Sequence, residues 1–234
     1  MTRKRPEDRL QKLVETATEV FIVAQSYQRT QMDDVAKALG VSKGTVYLYV
    51  ASKEALFDLC VRHADAPEAL TDSTIELPHR SADSGATLEF VQAQLAGDKA
   101  LGEMLTLLSE EKCSDAGQTL ESIVRLLYRT LLAHRRSIKL VEAAAQDHPG
   151  LSDVWYPNAR GQLLQVLLPF VERNIQSGAF RRVRSPAMAA RHLIETCTFW
   201  AIHRYWDPAP QDVDPGSMED GLVELLLPAF MEHA

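Results

Sequence analysis

Residues 32–57 read MDDVAKALGVSKGTVYLYVASKEALF. They carry two short helical patterns and the start of a third, separated by one glycine and two serines. Thr30 is placed to cap the first helix, and Asp33, three residues on, completes a pattern like a capping box. Val35, Ala36 and Leu39 then recur at helical spacing on one face. Gly40 follows the last of them, where a left-handed residue ends a helix at no steric cost. Val41 points back between the two helices. Ser42 caps the second, whose Val46 and Val50, four apart, turn inward beside Leu39. Ser52 caps a third. Two short helices joined by a glycine turn make a helix-turn-helix, which lays its second helix in the major groove of DNA.

If the valines face inward, Lys43, Gly44, Thr45, Tyr47, Leu48 and Tyr49 are left for the outer face and its edges. That set suits a groove. Lys43 brings charge and reach, and Gly44 removes a side chain where two backbones must approach. Thr45 offers a hydroxyl and a methyl, and Tyr47 and Tyr49 offer hydroxyls of the kind that meet phosphate oxygens. Leu48 allows only apolar contact. Lys53 stands in the first turn of the third helix, against the helix dipole, which a neighbouring phosphate would account for.

Thr30, the run Met32–Ala36, the run Gly40–Tyr47 and the run Ser52–Phe57 together resemble the N-terminal domain of the TetR family of bacterial transcriptional regulators. The resemblance covers about the first quarter of the chain. It implies an all-α homodimer whose first three helices bind a double-stranded DNA operator. It also implies a C-terminal domain that takes a small-molecule effector and thereby weakens DNA binding. On this resemblance Thr30, Ser42, Lys43, Gly44, Thr45, Tyr47, Tyr49 and Lys53 fall where the family touches DNA, and Leu48 joins them by position. The chain departs from the family at Leu48, usually polar or aromatic, and at Val50–Ala51, usually Phe–Pro.

The composition agrees with such a division of labour. The net charge is -7, which by itself argues against a polyanion as partner. Residues 1–62, however, carry ten Lys/Arg against eight Asp/Glu, while the remainder carries 15 against 24. The basic excess lies with the motif. Three cysteines, Cys60, Cys113 and Cys197, are odd in number and far apart, which suits buried thiols in a reducing compartment. The basic arm Thr2–Arg5 is followed by no apolar signal region, and no apolar run reaches the ~18 residues of a spanning helix. A soluble cytoplasmic protein is expected.

Outward from the motif, Pro6, Glu7 and Asp8 open a first helix with an inward stripe of Leu10, Leu13, Val14, Ala17, Phe21 and Ala24. The helix after Ser52 is expected to run to about Asp65. Residues 66–85 read as a loop between domains, with Pro67, Pro78 and Gly85. Helical patterns then follow near 86–95, 99–110, 118–134, 136–146, 151–177, 186–206 and 218–231, with Pro169 and Pro228 inside two of them. The expected organisation is a DNA-binding domain at 1–52 and a helical bundle for ligand binding and dimerisation at 53–234.

The helix 186–206 carries two apolar stripes, one of Ala190, Leu193, Ile194, Cys197 and Ala201, the other of His192, Thr196, Phe199, His203 and Trp206. With the last helix it is suited to an intermolecular four-helix bundle, with Leu193, Cys197, Ala201, Leu222 and Leu226 expected at the seam.

No nucleotide-binding glycine loop, nucleophile elbow or paired-histidine metal motif occurs, so no catalytic residue, metal or cofactor is assigned. Tyr128, Glu142, Trp155 and Tyr156, from the middle helices, are the candidates for an effector pocket. The expected function is a ligand-responsive repressor that binds a palindromic operator as a homodimer and is released by a small molecule. A binding or adaptor protein that has lost DNA affinity, and an enzyme housed in the bundle, are the alternatives.

Overall fold

A computed structural model describes residues 9–70, 75–81, 85–97, 99–109, 115–148, 150–209 and 213–231. The arm Thr2–Arg5, the helix opening Pro6–Asp8, Cys113, Pro149, Pro210 and His233 lie outside them. Among the described residues the chain is helical, and the extended pairing is a single parallel bridge between Val50 and His79.

The chain forms two compact units, and the first is discontinuous. It takes residues 1–96 together with 136–155, and the second takes 97–135 together with 156–234. In the first unit, α1 (Arg9–Ala24) lays Leu10, Leu13, Val14, Ala17, Phe21 and Ile22 into the core. It packs on α2 (Met32–Leu39) and on α4 (Lys53–His63), with α3 (Lys43–Val46) held against α2. Helix α4 contributes Leu56, Phe57, Leu59 and Cys60, all fully buried. Helix α5 (Ala86–Ala96) packs on α4 and on α9 (Leu151–Trp155), and α8 (Arg135–Ala144) supplies Leu140, Val141, Ala143 and Ala144.

The stretch expected to be a plain interdomain loop instead returns to the motif. The His79 N–H donates to the Tyr49 carbonyl at 2.7 Å, and the Ala51 N–H to the His79 carbonyl at 2.9 Å. These bonds satisfy the Tyr49 carbonyl and the Ala51 N–H, on either side of Val50. Behind the bridge stands Asp58, buried in α4. Its carboxylate accepts from Arg62 at 2.9 Å and Thr87 at 3.0 Å and lies 3.5 Å from the His79 ring. Burial alone would raise its pKa, but the bonds from His79, Arg62 and Thr87 outweigh burial and bring it down from 3.8 to about 2.

In the second unit, α11 (Pro186–Ala201) packs between α7 (Ala116–Ala133) and α10 (Gln162–Ser177). Helices α6 (Lys99–Ser109) and α12 (Pro215–Phe230) pack on α7. Buried Glu219 of α12 pairs with Arg125 and Arg129 of α7, each at 2.8 Å. Burial opposes its charge, yet the two guanidinium groups keep its carboxyl below the usual range. The single helix expected over 151–177 is broken by a wider, π-type turn at Tyr156–Gly161, which contains Pro157, and then continues through Pro169. The helix expected to reach Trp206 ends at Ala201, with a 3-10 turn over His203–Trp206. Cys60 and Cys197 are buried, and burial pushes both thiols up to about 12, so neither carries reactive thiolate at neutral pH.

Candidate nucleic-acid interface

Helix α2 starts one residue later than the sequence suggested. Its N-cap is Gln31, whose backbone carbonyl accepts from the Asp34 N–H at 3.0 Å, while the Asp34 carboxylate accepts from the Gln31 N–H at 2.9 Å. Thr30 is not the cap. It is buried, and its hydroxyl donates to the Ser26 carbonyl at 2.8 Å. Its side chain therefore fixes the corner between α1 and α2 and is not presented outward. The Gln-x-x-Asp spacing was visible in the sequence but was overshadowed by the more common threonine cap.

Gly40 ends α2 with φ +71°, and an added Cβ would meet nothing within 4 Å, so the left-handed backbone alone demands glycine here. Ser42 then caps α3, accepting from the Thr45 N–H at 3.2 Å and sharing a hydroxyl bond with Thr45 Oγ1 at 2.9 Å. Ser52 caps α4, accepting from Ala55 at 3.1 Å.

The recognition segment is shorter than the expected Lys43–Tyr49. Helix α3 ends at Val46, and the next residues close with tighter bonds, Leu48 N–H to Thr45 and Tyr49 N–H to Val46. Each residue of a tighter turn advances about 120° rather than about 100°. By Tyr49 the phase has moved enough to bury the ring, which is 2% exposed, whereas Tyr47 and Leu48 are 40% and 53% exposed. The outward face is thus Ser42, Lys43, Gly44, Tyr47 and Leu48, with Thr45 half-buried at its edge. Val46 and Val50 face inward as expected.

Lys43 stands exposed and pairs with Asp33 of α2 at 3.1 Å. The Asp33 partner was missed in the sequence reading because the two residues meet only across the turn. An exposed pair of this kind adds little stability, so Lys43 is free to exchange its partner for a phosphate. Gly44 meets only Ser42 Oγ, at 3.8 Å from a hypothetical Cβ, so a second backbone can come close.

Lys53 is otherwise engaged. Its ammonium donates to the carbonyls of Tyr27, Gln28 and Thr30 at 3.3–3.4 Å and lies 4.5 Å above the Tyr27 ring. That accounts for a lysine in the first turn of α4 without a phosphate. Tyr27 donates to Glu54 at 3.2 Å, and burial with the Glu54 charge pushes its phenol upward, so it stays a donor.

The four pocket candidates are not gathered within one compact unit. Tyr128 is buried in the second unit, and Tyr156 there is 42% exposed. Trp155 is buried in the first, and half-buried Glu142 pairs there with Lys139 at 3.5 Å. Leu193, Cys197, Ala201, Leu222 and Leu226, expected at a subunit seam, are each at most 3% exposed and lie in the core of the second unit. Among the described residues, the large apolar side chains that α11 and α12 leave exposed are Met188, Phe199 and Leu225. Among the described residues no group of three His, Cys, Asp or Glu is placed to hold a metal ion, and no helix is long and apolar enough to cross a membrane.

This geometry defines a helix-turn-helix DNA-binding domain within the first unit. Residues 13–60 match the sequence profile of bacterial regulatory proteins of the tetR family, so this segment carries a DNA-binding domain of that family's type. No curated protein matches the chain. Among solved structures, the ketosteroid transcriptional regulator KstR2 of Mycobacterium tuberculosis is similar over 100% of both chains, with 14% identity and a TM-score of 0.57. A TetR-family member from Streptomyces coelicolor is similar over 99% of this chain and 94% of its own, at 20% identity and a TM-score of 0.54. The regulator PfmR of Thermus thermophilus is similar over 100% of both chains, at 18% identity and a TM-score of 0.51. These likenesses show a shared fold.

Proposed function

We propose that the protein is a ligand-responsive repressor that binds a near-palindromic DNA operator as a homodimer and is released by a small molecule. The observation that carries the DNA-binding part is the outward set Ser42, Lys43, Gly44, Tyr47 and Leu48, raised on a turn locked by Gly40 and Ser42. Residues 1–52 hold these contacts, and 53–234 serve effector binding and pairing. Two copies of α3 would enter successive major grooves roughly 34–36 Å apart.

The homodimer reading draws support from α11 and α12. Met188, His192 and Phe199 lie on one exposed face of α11, and Leu225 and Pro228 on one exposed face of α12. Met188, Phe199 and Leu225 are 67%, 41% and 76% exposed, a large apolar presence for helix surfaces in water. A twofold pairing buries each such residue twice. His192 and Phe199 come from the second of the two stripes read in the sequence, whereas the first is buried in the core. The effector is assigned to the second unit, where the buried Tyr128 hydroxyl has no hydrogen-bond partner among the described residues.

Selection of bound duplexes from a random pool near physiological salt tests the reading. Enrichment of a near-palindrome supports it, and steep loss of binding with added salt separates it from an adaptor that has left DNA. Failure of folded protein to enrich any sequence, with and without cellular small-molecule extract, refutes it.

A further inference from the structure

The corner between α1 and α2 determines where α2 and α3 point, and a residue far along the chain holds it. Gln25 leaves α1 with φ +49°, and residues 26–30 turn the chain into α2. The Asp147 carboxylate faces this corner. It accepts from the Ser26 hydroxyl, from the Tyr27 N–H at 2.7 Å and from the Gln28 N–H at 3.3 Å. The Gln28 side chain answers by donating to the Asp147 carbonyl at 2.9 Å. Ser26 Oγ also accepts from the Arg29 N–H at 2.9 Å, so one carboxylate organises the N–H groups of three corner residues, two directly and one through a hydroxyl. Next to it, the His148 ring lies 4.6 Å from Tyr27 and 5.2 Å from Phe57, seating the same turn on α4.

The opposite end of this segment is fastened in the same manner. Asp65, just past α4, accepts from the Arg136 N–H at 3.0 Å and the Ser137 N–H at 3.2 Å. Arg136 in turn donates to the Glu15 carbonyl of α1 at 3.3 Å and pairs with Glu19 at 3.2 Å. Helix α8 is therefore a strut of ten residues, about 15 Å long, tied at one end to α1 and the end of α4 and at the other to the α1–α2 corner. Its chain arrives directly from α7 of the second unit. Bonds from N–H groups to a carboxylate are the stronger kind and hold direction as well as distance.

We propose that Asp147 is a positioning residue for DNA binding, fixing the α1–α2 corner against α8 and so setting the half-site spacing that the paired α3 helices accept. This rests on the dimeric operator reading above. Asp147 touches no DNA in this account. It acts through Ser26, Tyr27 and Gln28.

The test measures affinity for the selected operator and for versions with one base pair added or removed at its centre. Each such change moves a half-site by about 3.4 Å and turns it by roughly 35°. The wild-type chain is expected to reject both. Asp147→Ala is expected to lose about tenfold for the native spacing, the scale of one such bond. It should also flatten the discrimination between spacings, while its preference among half-site sequences stays intact. Ser26→Ala removes one arm of the clamp with less risk to folding and should show the same flattening in smaller degree. If both variants melt earlier yet reject altered spacings as strongly as wild type does, Asp147 is a fold anchor only and the proposal falls. If the wild-type chain itself selects no spaced palindrome, the dimeric reading fails first, and that outcome is distinguishable because it needs no variant.

Discussion

Replacing Asp58 by asparagine keeps the shape of the side chain and removes its charge. In the native protein the carboxylate takes hydrogen bonds from Arg62 and Thr87 and faces His79, with its side chain 3% exposed. A carboxyl held at about 2 instead of 3.8 is worth roughly 2 kcal/mol at neutral pH, since each tenfold change in proton affinity is about 1.4 kcal/mol. Because the folded value lies below the unfolded one, this contribution is complete above about pH 4 and disappears as the pH falls through about 2. Asp58→Asn is therefore expected to destabilise the first unit by about 2 kcal/mol at pH 7, shifting its urea midpoint by about 1 M. The gap to wild type should close on acidification. Trp155 lies in the same compact unit, so its fluorescence reports that unit once Trp200 and Trp206 are replaced by Phe. A gap that persists undiminished at pH 2.5, or a loss below about 0.5 kcal/mol at pH 7, would refute the ion-pair account of Asp58.

Lys43→Ala should lower operator affinity and reduce the slope of log affinity against log salt by about one for each subunit, without changing the melting temperature. Lys53→Met should do the reverse, lowering the melting temperature because three carbonyls lose their donor, while the salt slope holds; an equal drop in slope for both lysines would return Lys53 to the DNA. Leu225→Glu should give a folded monomer by sedimentation, whereas Leu226→Glu, one residue on but 3% exposed, should fail to fold by circular dichroism. A dimeric Leu225→Glu protein would place the pairing surface elsewhere. Tyr47→Phe should weaken operator binding with the fold unchanged, as the ring is 40% exposed and its hydroxyl is the part lost.

The motif was legible because its determinants are local. Gly40, Ser42 and Ser52 act within four residues of themselves, and the core stripes of α1 and α4 follow one period. Tyr49 was not legible, because the change from α-helical to tighter winding after Val46 alters the phase without changing the composition. The bonds of Lys53 were not legible for a different reason: the carbonyls it satisfies belong to a corner 23–26 residues earlier, invisible to an argument about its own helix. The two faces of α11 were both seen, but periodicity cannot rank them, and the stripe with the smaller side chains went to the core of the second unit. Asp147 and Asp65 lie 120 and 71 residues from the backbone N–H groups they hold, and nothing in their neighbourhoods marks them.

The discontinuity of the first unit has a consequence for synthesis. A chain growing from its N-terminus completes α1 to α5 by residue 96, yet the carboxylate that steadies the α1–α2 corner is made about fifty residues later. At about 5–20 residues per second, the interval from residue 96 to residue 155 is on the order of 3–12 s. During it the helix-turn-helix has its sequence but lacks its brace. Any hybrid regulator that borrows this DNA-reading head must likewise bring residues 136–155 with it, because a cut at the apparent end of the head leaves behind the part that holds it still.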